Sequence, residues 1–254
     1  AHVMISTTSW ISCSAPAKKT NVLNEITTAS GATPGEYVVL NNIDTAGACL
    51  DWFRRIVSLD GTSRSEPIEA SDLITLAETV PAGSRGVVFT PWLNGSQGAI
   101  SDASARAGFY NVGLSTGAAE LSHAVLEGVA VQNAMLLGVV EKFAGQRLDP
   151  IRIVGGGARS DLWCQIHADA FDRTLERPAD PLNAGLRGAT LNAAVAIGAL
   201  DAGDLRDRVS VEKSFRPDPA HRELYEGLAG SMRKLHKGQR RPLAVLNKAH
   251  RARG

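Results

Sequence analysis

The pattern of apolar and polar positions divides the chain into a β-rich first part and an alternating α/β second part. In the first 45 residues, short stretches rich in β-branched and aromatic side chains are separated by Gly and Pro. This pattern is typical of strands joined by turns. We predict three strands in a meander, over Val3–Ser12, Thr20–Thr28 and Glu36–Asn41.

After this point the periodicity becomes helical. A helix is predicted to begin near Thr45, with Asp44 as its N-cap. Apolar positions at helical spacing predict two more helices, over Ser71–Glu78 and Glu120–Phe143. A short apolar run predicts a strand over Val87–Phe89. The segment Pro91–Ala107 has little periodicity, so we expect a loop that either moves or binds a ligand.

From residue 151 onward, strands and helices alternate. The apolar run Ile151–Val154 predicts a buried strand, and Gly155–Gly157 predicts a turn. A helix over about 159–171, a strand over 174–177 and a helix over about 185–200 follow. Such alternation favours parallel pairing with helices on the faces of a sheet. We therefore expect one sheet of mixed direction in one domain, closed by a helix over about Pro219–Leu235.

Composition narrows the class of protein. The 254 residues are 44% hydrophobic and 21% charged, with a net charge of +1, which argues against nucleic-acid binding by the whole chain. Three scattered cysteines suit a reducing, cytoplasmic compartment. No apolar run in the sequence approaches the roughly 20 residues of a membrane span, so no membrane association is expected.

The two ends of the chain carry further expectations. The chain starts at Ala1 without an initiator Met, which suggests that it was cut from a longer protein. The last residues are rich in Lys and Arg and free of acids. We predict a domain over 1–237 and a basic, flexible tail over 238–254. Nucleic-acid binding by this tail is an unlikely alternative.

The glycine turn at 155–157 is the strongest candidate for ligand binding. Without Cβ atoms, the turn lets a flat ligand lie against the backbone, and the amides of the following helix face it. Its spacing matches neither the dinucleotide fingerprint nor a Walker loop. A tight junction between strand and helix explains the same residues equally well, so the nucleotide interpretation needs support from other parts of the chain.

Several motifs, in this order along the chain, provide that support. They are Ser6-Thr7-Thr8-Ser9-Trp10, Gly47-Ala48-Cys49-Leu50-Asp51-Trp52, Pro91-Trp92-Leu93-Asn94-Gly95, Glu120 to Gly128, Gly155 to Ser160, and Phe215-Arg216-Pro217. With these motifs the chain resembles the C-terminal domain of the FGGY family of carbohydrate kinases, most closely the xylulose-kinase-like branch. The resemblance implies a ribonuclease-H-like, actin-type ATPase fold: a mixed sheet of a three-strand meander plus βαβ units, with helices on both faces.

The same resemblance implies a function and a set of site residues. It implies ATP-dependent phosphorylation of a sugar hydroxyl, D-xylulose or a related pentulose or polyol, with Mg²⁺ entering together with ATP. The nucleotide-binding candidates are Thr7, Thr8, Gly47, Asp51, Gly156, Gly157, Ser160 and Asp161. No catalytic residue and no metal ligand is assigned, because the family's general base is an Asp of the N-terminal domain, which also binds the sugar. A homodimer is a further expectation.

Each candidate has a role and a simpler alternative. Thr7 and Thr8 would donate to the terminal phosphates, although Thr is also favoured in strands. Gly47 would let the nucleotide approach the helix, and Asp51 would meet the ribose or base, or merely complement the helix N-terminus. Gly156 and Gly157 would contact the adenine.

Ser160 or Asp161 would cap the next helix. The sequence departs from the family pattern at two places, and the altered loop at Ser96-Gln97-Gly98 motivates a rival interpretation. Ser96-Gln97-Gly98-Ala99 stands where the family has Glu-Arg-x-Pro, and Asn111 stands where it has Gly. The rival is a non-catalytic nucleotide-binding or scaffold module derived from a sugar kinase.

Overall fold

The computed structural model describes residues 1–31, 35–58 and 68–248 of the chain. Its strands are β1 (His2–Ile5), β2 (Ser9–Ser12), β3 (Ser14–Ala15), β4 (Thr20–Asn21), β5 (Ile26–Ser30), β6 (Tyr37–Leu40), β7 (Val88–Thr90), β8 (Gly108–Tyr110), β9 (Ile151–Val154), β10 (Leu175–Pro178) and β11 (Val211–Phe215). Its α-helices are α1 (Gly47–Ser58), α2 (Ala70–Ala77), α3 (Ala118–Ala144), α4 (Asp161–Phe171), α5 (Ala184–Ala196) and α6 (Arg222–Leu246).

A five-stranded mixed sheet forms the centre of the molecule, in the order β11-β10-β9-β1-β2. β1 pairs antiparallel with β2 and parallel with β9, and β9 pairs parallel with β10. Met4 lies opposite Val154 in the pairing of β1 with β9. The carboxyl ends of β1 and β9 therefore meet at one edge of the sheet. The mixed α/β fold expected from the sequence is confirmed.

The first three predicted strands do not remain in one sheet. Val3–Ser12 is a hairpin, β1 and β2, and a second sheet has the order β3-β6-β5-β4. The Asn41 side chain accepts a hydrogen bond from the Ile11 amide and donates one to the Ile11 carbonyl. Because this side chain occupies the backbone groups of β2, the ladder between β2 and β6 is interrupted and the meander divides into two sheets.

The core lies between the central sheet and α3. Val3 and Ile5 of β1 and Ile151 and Ile153 of β9 are almost fully buried. α3 is long and apolar enough to cross a membrane by length and composition, yet 83% of its most apolar window is buried inside the fold. This burial is typical of a helix in the core of a folded domain.

Two helix ends differ from the predictions. α1 begins at Gly47, because the Thr45 hydroxyl donates to the Pro91 carbonyl and Asp44 accepts from Asn42 instead of capping a helix. α6 continues to Leu246, so 238–246 is helical and not a flexible tail. Asn247, just beyond the helix, donates to the Ser104 carbonyl at 3.1 Å. Residues 249–254 of the predicted tail lie outside the described residues.

The segment 91–107 is held by side chains on both sides. The Trp92 indole donates to Gln132 of α3 at 3.2 Å, and Asp102 pairs with His236 of α6 at 2.9 Å.

Asn111, which stands where the family has Gly, has a φ of 59°. This φ lies in the left-handed region that Gly favours and Asn tolerates. The departure at Asn111 is therefore compatible with the fold.

Candidate functional site

A cleft of about 1080 Å³ opens at the edge where β1 and β9 end. Ligand sites of α/β sheets form at the carboxyl ends of strands, because the loops there are adjacent and free of helix packing. The walls come from the loop after β1, the start of α1, the helix α2 and the turn after β9. Seven of the eight predicted residues line it: Thr7, Gly47, Asp51, Gly156, Gly157, Ser160 and Asp161.

The loop after β1 is docked onto the start of α1. The amides of Ala46 and Gly47 donate to the carbonyls of Thr7 and Ser6 at 2.9 and 2.7 Å. A Cβ on Gly47 would lie 2.5 Å from the Ser6 carbonyl oxygen. Only Gly at position 47 lets the loop approach the helix this closely. The sequence alone predicts a different reason for Gly47, the approach of a nucleotide.

The same loop presents unused donors. Among the described residues, the amides and hydroxyls of Thr7 and Thr8 donate to no protein acceptor. Thr7 is exposed and lines the cleft, whereas Thr8 is half-buried and is the one predicted residue outside its lining. A tight turn with unpaired backbone N–H groups is a typical anion-binding geometry.

The three glycines of the turn after β9 have different roles. Gly155 has a φ of 92°, and a Cβ there would lie 2.5 Å from the Ile5 carbonyl oxygen. A Cβ on Gly157 would lie 2.5 Å from Cγ2 of Ile5. These two glycines let the turn pack on β1. Gly156 is exposed, and a Cβ there would meet no atom within 4 Å, so it presents bare backbone to the cleft.

Ser160 and Asp161 have different roles in the structure. The Ser160 hydroxyl accepts from the Trp163 amide at 3.1 Å and is the N-cap of α4, which settles the alternative left open by the sequence. Asp161 pairs with Lys213 and Arg177, each at 2.6 Å. The hydrogen bond from Lys213, followed by that from Arg177, holds the pKa of Asp161 below its usual value. Asp161 therefore remains an anion at the rim of the cleft.

Asp51 is also engaged within the protein. Arg54 donates to its carboxylate at 2.8 Å, and Arg55 lies 3.6 Å away. The hydrogen bond from Arg54 lowers the pKa of Asp51. Because Asp51 is about half exposed, a ligand hydroxyl can reach it without breaking a buried ion pair. The arrangement allows the predicted contact with a ribose, and the contact itself stays a prediction.

Sequence reasoning missed the wall formed by α2. Ser71, Thr75 and Glu78 face the cleft at spacings of four and three residues, which is the signal of one helix face. Arg159 also lines the cleft, and no ion pair or hydrogen bond engages its side chain within the described ranges. In the part of the chain that the structure describes, no group of three or more His, Cys, Asp or Glu side chains forms a metal site.

The sequence of this chain matches a known protein family over most of its length. The sequence model of the C-terminal domain of the FGGY family of carbohydrate kinases matches residues 3–197. The chain belongs to this family. The family recognised from the motifs is therefore confirmed.

Relatives with curated names include kinases of different substrates. A glycerol kinase from Aromatoleum aromaticum is 32% identical over 206 residues, which are 80% of this chain and 39% of that protein. A xylulose kinase from Staphylococcus epidermidis is 26% identical over 77% of this chain and 38% of that protein. The chain thus spans about two fifths of the length of the relatives that it matches.

Solved structures share the fold. The xylulose kinase from Rhodospirillum rubrum superimposes with a TM-score of 0.79 at 25% identity, over 95% of this chain and 47% of that one. A gluconate kinase from Lactobacillus acidophilus gives 0.78 at 21% identity, over 94% and 47%. At 21% identity, the similarity to the gluconate kinase concerns the fold alone. Residues 3–197 are thus a C-terminal domain of the FGGY family, and the structures that share its fold are sugar kinases.

Proposed function

We propose that this chain is the ATP-binding half of a kinase that phosphorylates a sugar hydroxyl. The proposed substrate is D-xylulose or a related pentulose or polyol. One observation carries the proposal: the loop with the free donors of Thr7 and Thr8 and the bare turn at Gly156 stand side by side at the ends of adjacent parallel strands. This arrangement supports a ligand with an anionic end and a flat end, such as a nucleoside triphosphate.

The charges around the cleft support one orientation of the nucleotide. Glu69 and Glu78, at the two ends of α2, would repel phosphates from that wall. The donors of Thr7 and Thr8 would instead hold the terminal phosphates, and the base would lie against Gly156. Phosphoryl transfer depends mainly on such positioning and on charge neutralisation. Mg²⁺ would enter with the phosphates, since the described residues of this half offer no ligand cluster for it.

The sugar and the general base belong to the other half of the kinase. The family resemblance implies that both lie in the N-terminal domain, and the length of the relatives, more than twice that of the matched region, supports this. We therefore expect negligible kinase activity from this chain alone. Sugar phosphorylation by the pure 254-residue chain would contradict this division of labour.

Calorimetric titration of the chain with Mg·ATP and Mg·ADP tests nucleotide binding. We expect weak, saturable binding that Gly156→Trp abolishes by filling the cleft. Gly113→Trp is the matched control, because Gly113 is also exposed, a Cβ there would meet no atom within 4 Å, and the residue lies outside the cleft. Absence of heat, or equal binding by Gly156→Trp and the wild type, would refute the assigned site.

The non-catalytic module remains the second candidate because of the Ser96-Gln97-Gly98 substitution. Within the described residues, the 91–107 segment contacts α3 and α6 and lines no part of the cleft. A chimera with the N-terminal half of a family kinase separates the two functions. Turnover of a pentulose supports the kinase, whereas nucleotide binding without turnover supports the module. The cytoplasmic location and the homodimer stay predictions.

A further inference from the structure

Three polar side chains form a hydrogen-bonded row through the core behind the cleft. The Ser9 hydroxyl of β2 donates to Oδ1 of Asn133 in α3 at 2.9 Å. Nδ2 of Asn133 lies 3.1 Å from Nε2 of His167 in α4, and Nδ1 of His167 lies 2.8 Å from the Trp163 carbonyl oxygen. All three residues are fully buried. We call Ser9, Asn133 and His167 the polar bridge.

Each polar group of the bridge has one possible role. A carbonyl can only accept, so Nδ1 of His167 carries a proton and donates it to Trp163. Burial lowers the pKa of His167 to about 4, so the ring is neutral at pH 7 and its Nε2 accepts from the Asn133 amide. The Asn133 carbonyl oxygen is then left for Ser9. A buried network in which every group is satisfied holds the elements that it joins in one arrangement.

The two ends of the bridge lie behind the two parts of the proposed nucleotide site. Ser9 directly follows Thr8, at the end of the loop after β1. At the other end, His167 holds the carbonyl of Trp163, whose side chain lines the cleft. Cε3 of Trp163 would lie 3.1 Å from a Cβ on Gly157, so this indole supports the glycine turn. The bridge therefore connects the phosphate side of the cleft with its base side.

The loop depends on the bridge more than the glycine turn does. Within the described residues, Ser9 is the only residue of 6–9 whose side chain makes a hydrogen bond. The start of α4 has two further anchors. The Trp163 indole donates to the Leu126 carbonyl of α3 at 3.0 Å, and Ser160 caps the first turn. Loss of the bridge should therefore release the loop and leave the glycine turn in place.

We infer that Asn133 is a positioning residue for the phosphates of the nucleotide, because it holds the loop at Thr7 and Thr8 in place through Ser9. Asn133 itself is buried and lines no part of the cleft, so it acts only through the loop. Apolar groups of the same shape can replace a buried hydrogen-bonded pair with little loss of stability. The specific effect of the bridge is thus the position of the loop. The inference rests on the proposed function, which supplies the nucleotide.

Calorimetric titration with Mg·ATP and with adenosine tests this role. Asn133→Leu keeps the branched shape of the side chain and breaks the bridge. The ratio of ATP affinity to adenosine affinity should fall about fivefold, the equivalent of one hydrogen bond, because only the phosphates need the loop. Gln132→Leu is the matched control and should keep the ratio. Gln132 is the preceding residue of α3 and is also buried, but it bonds to Trp92 and Ser96, outside the cleft.

Amide hydrogen exchange gives a measurement that needs no ligand. The amides of residues 46–48 donate to the carbonyls of Ser6 and Thr7, so their exchange reports whether the loop is docked on α1. In Asn133→Leu these amides should exchange about fivefold faster, while the amides of α6 keep their rate. Ser9→Ala, which removes only one hydroxyl, breaks the same bridge and should give the same exchange and the same affinity ratio.

Variants of His167 add a conservative rescue. His167→Leu should reproduce the effects of Asn133→Leu. His167→Gln keeps an acceptor for Asn133 and a donor for the Trp163 carbonyl, so it should restore the wild-type values. An unchanged affinity ratio in Asn133→Leu and Ser9→Ala, in a chain whose wild type binds ATP, would overturn this inference alone.

Two other results would count against the inference. An equal fall of the affinity ratio in Gln132→Leu would overturn it, because the effect would then come from general loosening of the core. Absence of ATP binding by the wild type would refute the proposed function and, with it, the role of Asn133 toward phosphates. The wild-type titration thus separates a failure of the proposed function from a failure of the positioning role.

Discussion

Replacement of neighbouring glycines in the turn after β9 should have opposite effects on stability. A Cβ on Gly157 would lie 2.5 Å from Cγ2 and 2.8 Å from Cβ of Ile5, a residue that is 1% exposed. Ile5 belongs to β1, which is paired on both sides, so its backbone cannot move aside. Overpacking of this kind costs about 1–3 kcal/mol. A Cβ on Gly156 meets nothing within 4 Å.

Each Gly→Ala change also stabilises by about 0.4–1 kcal/mol, because it restricts the unfolded chain. This contribution is common to both variants. Gly157→Ala should therefore be less stable than Gly156→Ala by about 1–3 kcal/mol, the overpacking term alone. Urea unfolding followed by tryptophan fluorescence measures the difference. Equal midpoints and slopes for the two variants would refute the assignment of Gly157 to packing and of Gly156 to the open cleft.

Three further predictions concern single side chains. Burial raises the pKa of Glu127, but hydrogen bonds from His123, Ser84 and Gly83 outweigh it and leave the pKa below 4.5. Glu127→Gln should therefore cost about 3–5 kcal/mol at pH 7. This loss shrinks as the pH falls below 4.5 and Glu127 of the wild type is protonated; a loss that grows in acid would contradict it. Ser160→Ala should cost about 1 kcal/mol in thermal unfolding by removing the N-cap, while Ser160→Asp keeps stability. Thr7→Val should weaken ATP binding roughly tenfold in calorimetry without weakening adenosine binding, and equal losses for both ligands would place the phosphates elsewhere.

Much of the order of elements was predictable because local patterns are strong in this chain, although β8 and β11 were not predicted. The 27-residue α3 and the strand-turn-helix around Gly155–Gly157 follow directly from periodicity and from glycine. The break between β2 and β6 was not predictable, because it depends on the Asn41 side chain reaching the backbone of Ile11, 30 residues away. The length of α6 was also missed, since its basic surface resembles that of a solvated tail.

The candidate site was predictable in part for the same reason. Motifs on consecutive residues, such as Thr7-Thr8 and Gly156-Gly157, could be recognised in the sequence. The wall formed by α2 carries no motif and enters the cleft only because the helix packs beside α1 and α3. The separate roles of Gly156 and Gly157 were equally hidden, because identical residues differ only in what surrounds them.

The sequence by itself determined the family, the alternation of strands and helices, and seven of the residues that line the cleft, because these depend on residues close together in the chain. Only the tertiary structure decided how those residues are used. It made Gly47 and Gly157 packing positions, because β1 and its loop lie against them. It also left every residue of α5 without full burial, a property of the assembled surface that no local pattern contains.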